Sequence, residues 1–459
     1  MKCILLKASL ATLFLVNCSY SFSQQTTATA TATTPTQEVI KEPASLIPVV
    51  KLSDNVTVKF GGFVRAEYYI DSKKTVGAVD DLFGFFPENE MKDADGKDIN
   101  NTVRQNISAQ ATRFNALFAG PDALGAKSTA YFEFDFSGGA ATTGTTTNPV
   151  GLRLRHAYLK LAWTKSEVLV GKTWNPLGET IFPSVLALHV GIPFRPFGRG
   201  DQLRFTFKPT SSINILAACL YQTEHKSFTY TNVDVTSPTG TTVANTNDIK
   251  INTLPDFHLQ VHYKRGPIFT GLVSEYKIIR PALTTKGKNG TYLAKETVSS
   301  YAAGAFLRFT KGKLTIQGSG IYGQNLSELF QQGGYAVTGI DTATGSRKYT
   351  PSNSISGWVN ITYGEKFMVG LFGGYQKNLG FNKNILKGTG TFLGRWQDID
   401  HVYRVTPTLK YTVGRFVLSG EVDYNIVGYG TVDYSNKGKV KDVKERNAVR
   451  GLVAATFLF

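Results

Sequence analysis

From Val56 to its last residue the chain alternates apolar and polar side chains with a period of two, the spacing of a β-strand whose faces meet different surroundings. In QLRFTFK, Leu203, Phe205 and Phe207 fall on one side, and Gln202, Arg204, Thr206 and Lys208 on the other. AYFEFDF sets Ala130, Phe132, Phe134 and Phe136 against Tyr131, Glu133 and Asp135. FHLQVHYK sets Phe257, Leu259, Val261 and Tyr263 against His258, Gln260, His262 and Lys264. YRVTPTLKYTV sets Tyr403, Val405, Leu409 and Tyr411 against Arg404, Thr406, Thr408 and Lys410. A soluble sandwich would have to bury one of these rows. A transmembrane β-barrel needs both, apolar side chains toward lipid and charged ones toward a wet lumen.

Sixteen such strands are predicted, at 56–71, 104–118, 126–137, 151–163, 168–174, 202–208, 212–223, 256–265, 268–279, 298–311, 313–325, 353–364, 366–377, 401–413, 415–426 and 446–459. The connections between them alternate in length. AGPDALG, TKSE, PTS, RGP, KG, GE and VG are short; the segments near 72–103, 138–150, 175–201, 224–255, 280–297, 326–352, 378–400 and 427–445 are long. Short periplasmic turns alternating with long external loops are the sorting expected of an outer-membrane barrel, and an even strand count returns both ends to the periplasmic side. The expected fold is therefore all-β, a sixteen-stranded antiparallel transmembrane barrel with an inward-folded third loop. The last strand, AVRGLVAATFLF, ends on alternating Phe457 and Phe459, similar to the signal read by the barrel-assembly machinery, although Gly451 departs from its usual spacing.

Composition narrows the picture. The 459 residues suffice for one large barrel or two to three ordinary domains, and the apolar fraction of 42% contains no run long enough for a spanning helix. A membrane protein without such helices must close its sheet, because open edges cannot lie in lipid. Lys2 and Lys7 precede an apolar run from Ala8 to Val16 and the small, polar end Ser21-Phe22-Ser23, which reads as a signal peptide over 1–23. Cys18 raises a lipoprotein alternative that Asn17 fits poorly. Residues 24–50, rich in Thr, Ala and Pro, read as a low-complexity periplasmic leader, and 51–459 as the barrel domain. Beyond the signal only Cys219 remains, a small apolar residue on a strand. The net charge of +16 falls to +14 once the two signal lysines leave. Export removes nucleic acid as a partner and leaves lipopolysaccharide phosphates and small anionic solutes.

The candidate chemistry gathers about Gly151–Lys208. The third long loop, 175–201, is stiffened by Pro176, Pro183, Pro193 and Pro196, and its centre, IFPSVLALHVGIPF, is too apolar to hang in water. It should fold into the lumen or against a neighbouring subunit, carrying Arg195 and Arg199. Around it are placed Arg65 and Glu67 of the first strand, Arg113 of the second, and Glu133 and Asp135 of the third. Arg153 and Arg155 of the fourth, Lys172 of the fifth and Arg204 of the sixth complete a pore-lining set. Arginine stays charged and offers a planar fork to carboxylate or phosphate, so the excess of cations favours anions. The plain alternative is that these charges solvate a lumen or pair across strands. Register is decisive: simple alternation turns His156 and Tyr158 toward lipid, and a bulge would reverse the faces. Rows such as Thr315, Gln317 and Ser319 suit an open channel.

No metal, cofactor or catalytic residue is expected. His258 and His262 lie about 13 Å apart along one strand face, too far to share an ion, and Glu133 with Asp135 is better explained by neighbouring arginines than by Ca²⁺. Lys286, Lys288, Lys437, Lys439, Lys441 and Lys444 are loop charges able to meet lipopolysaccharide phosphates, with solvation the simpler reading. Six scattered histidines and no nucleophile motif make an enzyme a remote alternative; a barrel adhesin, whose lumen would be sealed by bulky residues, is another, and a non-selective diffusion pore a third.

GGFVRAEYYID, TRF at 112–114, YFEFDF, LRLRHAYLKL followed by VGKTWNP, QLRFTF and the terminal Phe459 resemble the DcaP-like porins, trimeric sixteen-stranded channels of the bacterial outer membrane. The resemblance spans most of 56–459. It implies a homotrimer, passive uptake of small solutes and a preference for anions such as dicarboxylates. That family can carry a periplasmic coiled coil before the barrel; here the same place holds only the Thr/Ala leader.

Overall fold

The computed structural model describes residues 49–78, 82–138, 151–188, 190–232, 241–243, 254–388 and 390–459. The expected signal peptide and nearly all of the leader lie outside them. Sixteen antiparallel strands form one closed barrel. They are β1 (Val56–Asp71), β2 (Arg104–Ser108 continuing as Arg113–Ala119), β3 (Lys127–Asp135) and β4 (Arg153–Ala162). Next come β5 (Ser166–Trp174), β6 (Arg199–Phe207), β7 (Ile213–Tyr221) and β8 (Asp256–Arg265). They are followed by β9 (Ile268–Ile279), β10 (Val298–Lys311), β11 (Leu314–Gln324) and β12 (Arg347–Gly364). The last four are β13 (Phe367–Phe381), β14 (Ile399–Val413), β15 (Phe416–Asp433) and β16 (Lys439–Leu458). Each pairs with the next, and β16 closes on β1 from Phe63↔Leu458 to Asp71↔Arg450.

The wall is inside-out relative to a soluble protein. On β6, Leu203, Phe205 and Phe207 are 55%, 47% and 41% exposed, while Gln202 and Arg204 between them are 4% and 5% exposed. An apolar belt facing outward and a polar row facing inward is the partition a lipid-embedded barrel requires. β12, β13, β15 and β16 run further toward the long-loop end than their apolar alternation predicts. The extra residues of β15 and β16 pair with one another up to Asp433↔Lys439, and those of β12 pair with residues 335–340 of the sixth connection.

A β-bulge lies between β3 and β4. Glu133 opposes His156 and Phe134 opposes Leu154, which leaves Arg155 as the extra residue. Arg153 and Arg155 both stay inside as a result, and His156 and Tyr158 turn inward too. Simple alternation had sent those two toward lipid; the unpaired residue reverses them. His156 is buried with Nδ1 3.0 Å from Thr173 Oγ1.

The barrel's apolar core sits in the lumen. Four inserted segments meet there: 82–87 of the first long connection, 176–198 of the third, 326–333 of the sixth and 392–396 of the seventh. Phe85, Phe86, Ile192, Phe194, Phe197, Leu326, Leu329 and Phe330 form the centre of one buried cluster.

Candidate functional site: an arginine-rich lumen

The third connection starts as a short helix, α1 (Pro176–Glu179). Asn175 caps it by accepting from Leu177 N at 2.9 Å, and Pro176 occupies the first turn, where its missing N–H costs nothing. The chain then crosses the lumen and ties to distant strands. Ser184 N donates to Asn360 Oδ1 of β12 at 2.8 Å, and Ala187 N to Glu421 Oε1 of β15 at 3.0 Å. Leu186 N also donates to Glu421. Arg65 Nη2 of β1 donates to Leu186 O at 2.8 Å, and Gln317 Nε2 of β11 to Phe182 O at 2.6 Å. The inward fold of this loop is therefore held by side chains from across the barrel.

The residues singled out from the sequence form a ladder along β2–β6. Arg155 Nε donates to Glu133 Oε1 at 2.6 Å and its Nη1 to Asp135 Oδ2 at 2.8 Å. Arg153 grips Asp135 with two bonds of 3.0 and 2.7 Å. Arg113 Nε lies 3.4 Å from Glu133 Oε1, and Tyr131 Oη donates to Glu133 Oε2 at 2.8 Å. Arg199 pairs with Glu224, and Arg204 Nη2 donates to Glu179 Oε2 at 3.1 Å. Arg65 and Glu67 form their own pair at 2.9 Å. Lys172 is the exception. It opposes Ala157 and Asp201, its neighbour Thr173 faces inward with no exposure, and alternation puts it on the outer face. VLVGKTW is apolar at nearly every position, so its parity could not be read from the sequence.

Trp174 is the hub of the cluster. The guanidinium carbons of Arg199, Arg195 and Arg155 lie 4.0, 5.6 and 5.7 Å from its ring centroid, and Arg195 also sits 3.9 Å from that of Phe182. Such stacking offsets part of the cost of burying a guanidinium. Six guanidinium groups (Arg113, Arg153, Arg155, Arg195, Arg199, Arg204) meet four carboxylates (Glu133, Asp135, Glu179, Glu224), which leaves two positive charges in excess. Nε and Nη1 of Arg195 and Nε and Nη2 of Arg199 are buried and have no hydrogen-bond partner among the described residues. The carboxylates Glu179 and Glu224 were not singled out from the sequence, because nothing in a loop marks which wall it will meet.

In the loop beyond β7, burial pushes the Glu224 carboxyl up, but Arg199 and the neighbouring His225 and arginines outweigh it and hold the group at about 2. Burial pushes the His225 imidazole down to about 4 against the pull of Glu224. Glu224 is thus charged at neutral pH while His225 is neutral.

The lumen is more crowded than the small inward rows suggested. Gln317 is covered by the third connection, and the void beside Arg195, lined by Thr180, Ile181, Phe306 and Ile321 among others, holds about 10 Å³, room for about one water molecule. His258 faces Glu275 at 3.9 Å, and His262 Nε2 lies 2.7 Å from Gln260 Oε1. Among the described residues no group of three or more His, Cys, Asp or Glu is placed to hold a metal ion. Cys219 is a free thiol opposite Leu203 and Phe257, on the outer face.

A closed sixteen-stranded barrel with an inward third loop is the architecture of Gram-negative outer-membrane porins, and it fits a location in that membrane. No protein-family model and no curated protein sequence matches the chain. Among solved structures it is similar to the outer membrane channel DcaP of Acinetobacter baumannii, with 17% identity and a TM-score of 0.62 over 90% of this chain and all of that one. It is also similar to OmpT of Vibrio cholerae, with 12% identity and a TM-score of 0.50 over 90% of this chain and all of the other. At such identities the likeness is one of fold.

Proposed function

We propose that the chain is an outer-membrane porin through which small hydrophilic solutes diffuse passively, with anions such as dicarboxylates preferred at the arginine cluster. One observation carries the reading. Arg195 and Arg199 hold buried guanidinium N–H groups without acceptors among the described residues, in a cluster where guanidinium groups outnumber carboxylates six to four. A passing carboxylate supplies the missing acceptors. The test is reversal potential in planar bilayers across a salt gradient, on wild type and on Arg195→Ala with Arg199→Ala. Anion selectivity that falls in the double variant supports the loop as the filter. Selectivity that stays the same moves the filter to Arg153, Arg155 and Arg204, and absence of conductance overturns the porin reading.

The supporting features belong to the same proposal. Residues 1–23 direct export, 24–50 form a periplasmic leader, and the terminal Phe459 addresses the barrel-assembly machinery. Phe60, Phe114, Phe118, Phe132, Phe134 and Phe459 make an outward aromatic cluster, with Phe114 5.7, 5.4 and 6.4 Å from Phe60, Phe134 and Phe459. Large apolar patches of this kind mark interfaces, and a homotrimer would cover it. Exposed lysines at the long-loop end, Lys437, Lys439 and Lys444, face where lipopolysaccharide phosphates would lie. The second reading, a binding barrel, is favoured by the crowded lumen, and the same conductance measurement decides between them.

A further inference from the structure

The first long connection was expected to be an external loop, yet its arm Phe83–Pro87 lies in the lumen mouth with every residue buried. Phe83 meets Phe197 of the third connection edge-on at 5.5 Å, Phe85 lies 5.6 Å from Phe330, and Phe86 lies 5.0 Å from Trp396. Among the described residues this arm pairs only with Thr75–Ala78, in a two-stranded sheet too short to hold itself together in water. Its position therefore depends on what grips it.

Three wall residues do so, each through a backbone carbonyl. Arg404 of β14 is 1% exposed and donates from Nη2 to Gly84 O and Phe85 O at 3.1 and 2.6 Å. Its Nη1 reaches Ile192 O of the third connection at 2.8 Å, and its Nε is fixed by Asn425 Oδ1 at 2.6 Å. Tyr429 Oη donates to Pro87 O at 3.0 Å. Arg450, itself clamped by Asp71 with two bonds of 2.7 Å, reaches Leu82 O at 3.4 Å. One guanidinium thus joins two inserted connections to the barrel wall.

We propose that Phe83–Pro87 is a removable stopper latched by Arg404, Tyr429 and Arg450, and that solute passage requires its withdrawal from the mouth. The role in passage rests on the porin reading; the latch does not. A carbonyl can be regripped after release, and the arm's own sheet offers little resistance to leaving. The seated position is the one the structure shows, and the withdrawn one is what loss of the latch would populate.

The test uses the full chain with its three native cysteines replaced by serine. Two readouts are taken: labelling of a Phe85→Cys variant by a water-soluble maleimide, and unit conductance in planar bilayers. Adding Arg404→Ala should speed labelling roughly tenfold or more, as expected when a local opening equilibrium loses a contact, and should raise conductance. Tyr429→Phe, which deletes one hydroxyl, should do both to a smaller degree. A disulfide between Phe86→Cys and Trp396→Cys should lower conductance until a reductant restores it. Unchanged labelling in Arg404→Ala and Tyr429→Phe, with the barrel still folded by heat-dependent gel migration, overturns the latch. An oxidised lock that leaves conductance unchanged overturns the stopper. Faster labelling without conductance in any variant overturns the porin reading and leaves the latch standing.

Discussion

Glu421 of β15 offers a direct measure of how firmly the third connection is held. Its carboxylate accepts from Leu186 N, from Ala187 N at 3.0 Å and from Thr408 Oγ1 at 3.0 Å. Leu186 and Ala187 are 5% and 0% exposed, so no bulk water waits to replace the acceptor. A buried amide left without its acceptor costs about 1–3 kcal/mol, so losing the two backbone bonds in Glu421→Ala should weaken docking by roughly 2–6 kcal/mol. At about 1.4 kcal/mol per factor of ten, the lower bound predicts a more than tenfold loss of hydrogen-exchange protection at these two amides. The assay is exchange followed by mass spectrometry on the refolded barrel, comparing the peptide spanning 184–188 with one from the β9–β10 wall. Glu421→Gln keeps one acceptor oxygen and should fall between the two. Unchanged protection at 186 and 187, with the wall peptide also unchanged, would refute the claim that this carboxylate anchors the loop.

Two further outcomes are expected. A Cβ at Gly374 would lie 2.3 Å from the Phe194 ring, whereas one at Gly373 meets nothing within 4 Å. Gly374→Ala should therefore displace the third connection at a cost of about 1–3 kcal/mol and broaden conductance, while Gly373→Ala behaves as wild type. With the His225 imidazole held at about 4 by burial, anion selectivity should stay flat as pH falls from neutrality and rise as the added charge appears through about pH 4; His225→Ala should abolish that rise. For stability the sign is fixed by the same shift. The buried neutral imidazole contributes fully above its unfolded value of about 6.5 and loses that contribution as pH falls through the window down to about 4.

The barrel was legible because lipid and lumen impose opposite demands on alternate residues. β1, β8, β9 and β10 fall where the alternation predicts, at Val56–Asp71, Asp256–Arg265, Ile268–Ile279 and Val298–Lys311. Above the lipid belt that demand ends, and the extensions of β12, β13, β15 and β16 left no trace. At Arg155 a single unpaired residue set the facing of four side chains, and the sequence carries no mark of it. Lys172 was misplaced for the opposite reason, a strand apolar on both faces. The FGFF arm places three phenylalanines close together in the first long connection, but nothing there tells their destination. Glu179, Glu224 and Arg404 act through partners far away in the chain, which only folding brings near.

The third connection leaves the wall between β5 and β6 and is fastened to β12 and β15, on the opposite arc of the cylinder. Mechanically it is a tie rod across a hoop. A force that flattened the β12–β15 arc would reach Ser184 and Ala187 through these bonds, and through the loop the segment that carries Arg195 and Arg199. The shape of the barrel and the placement of its charges are thereby linked through one loop.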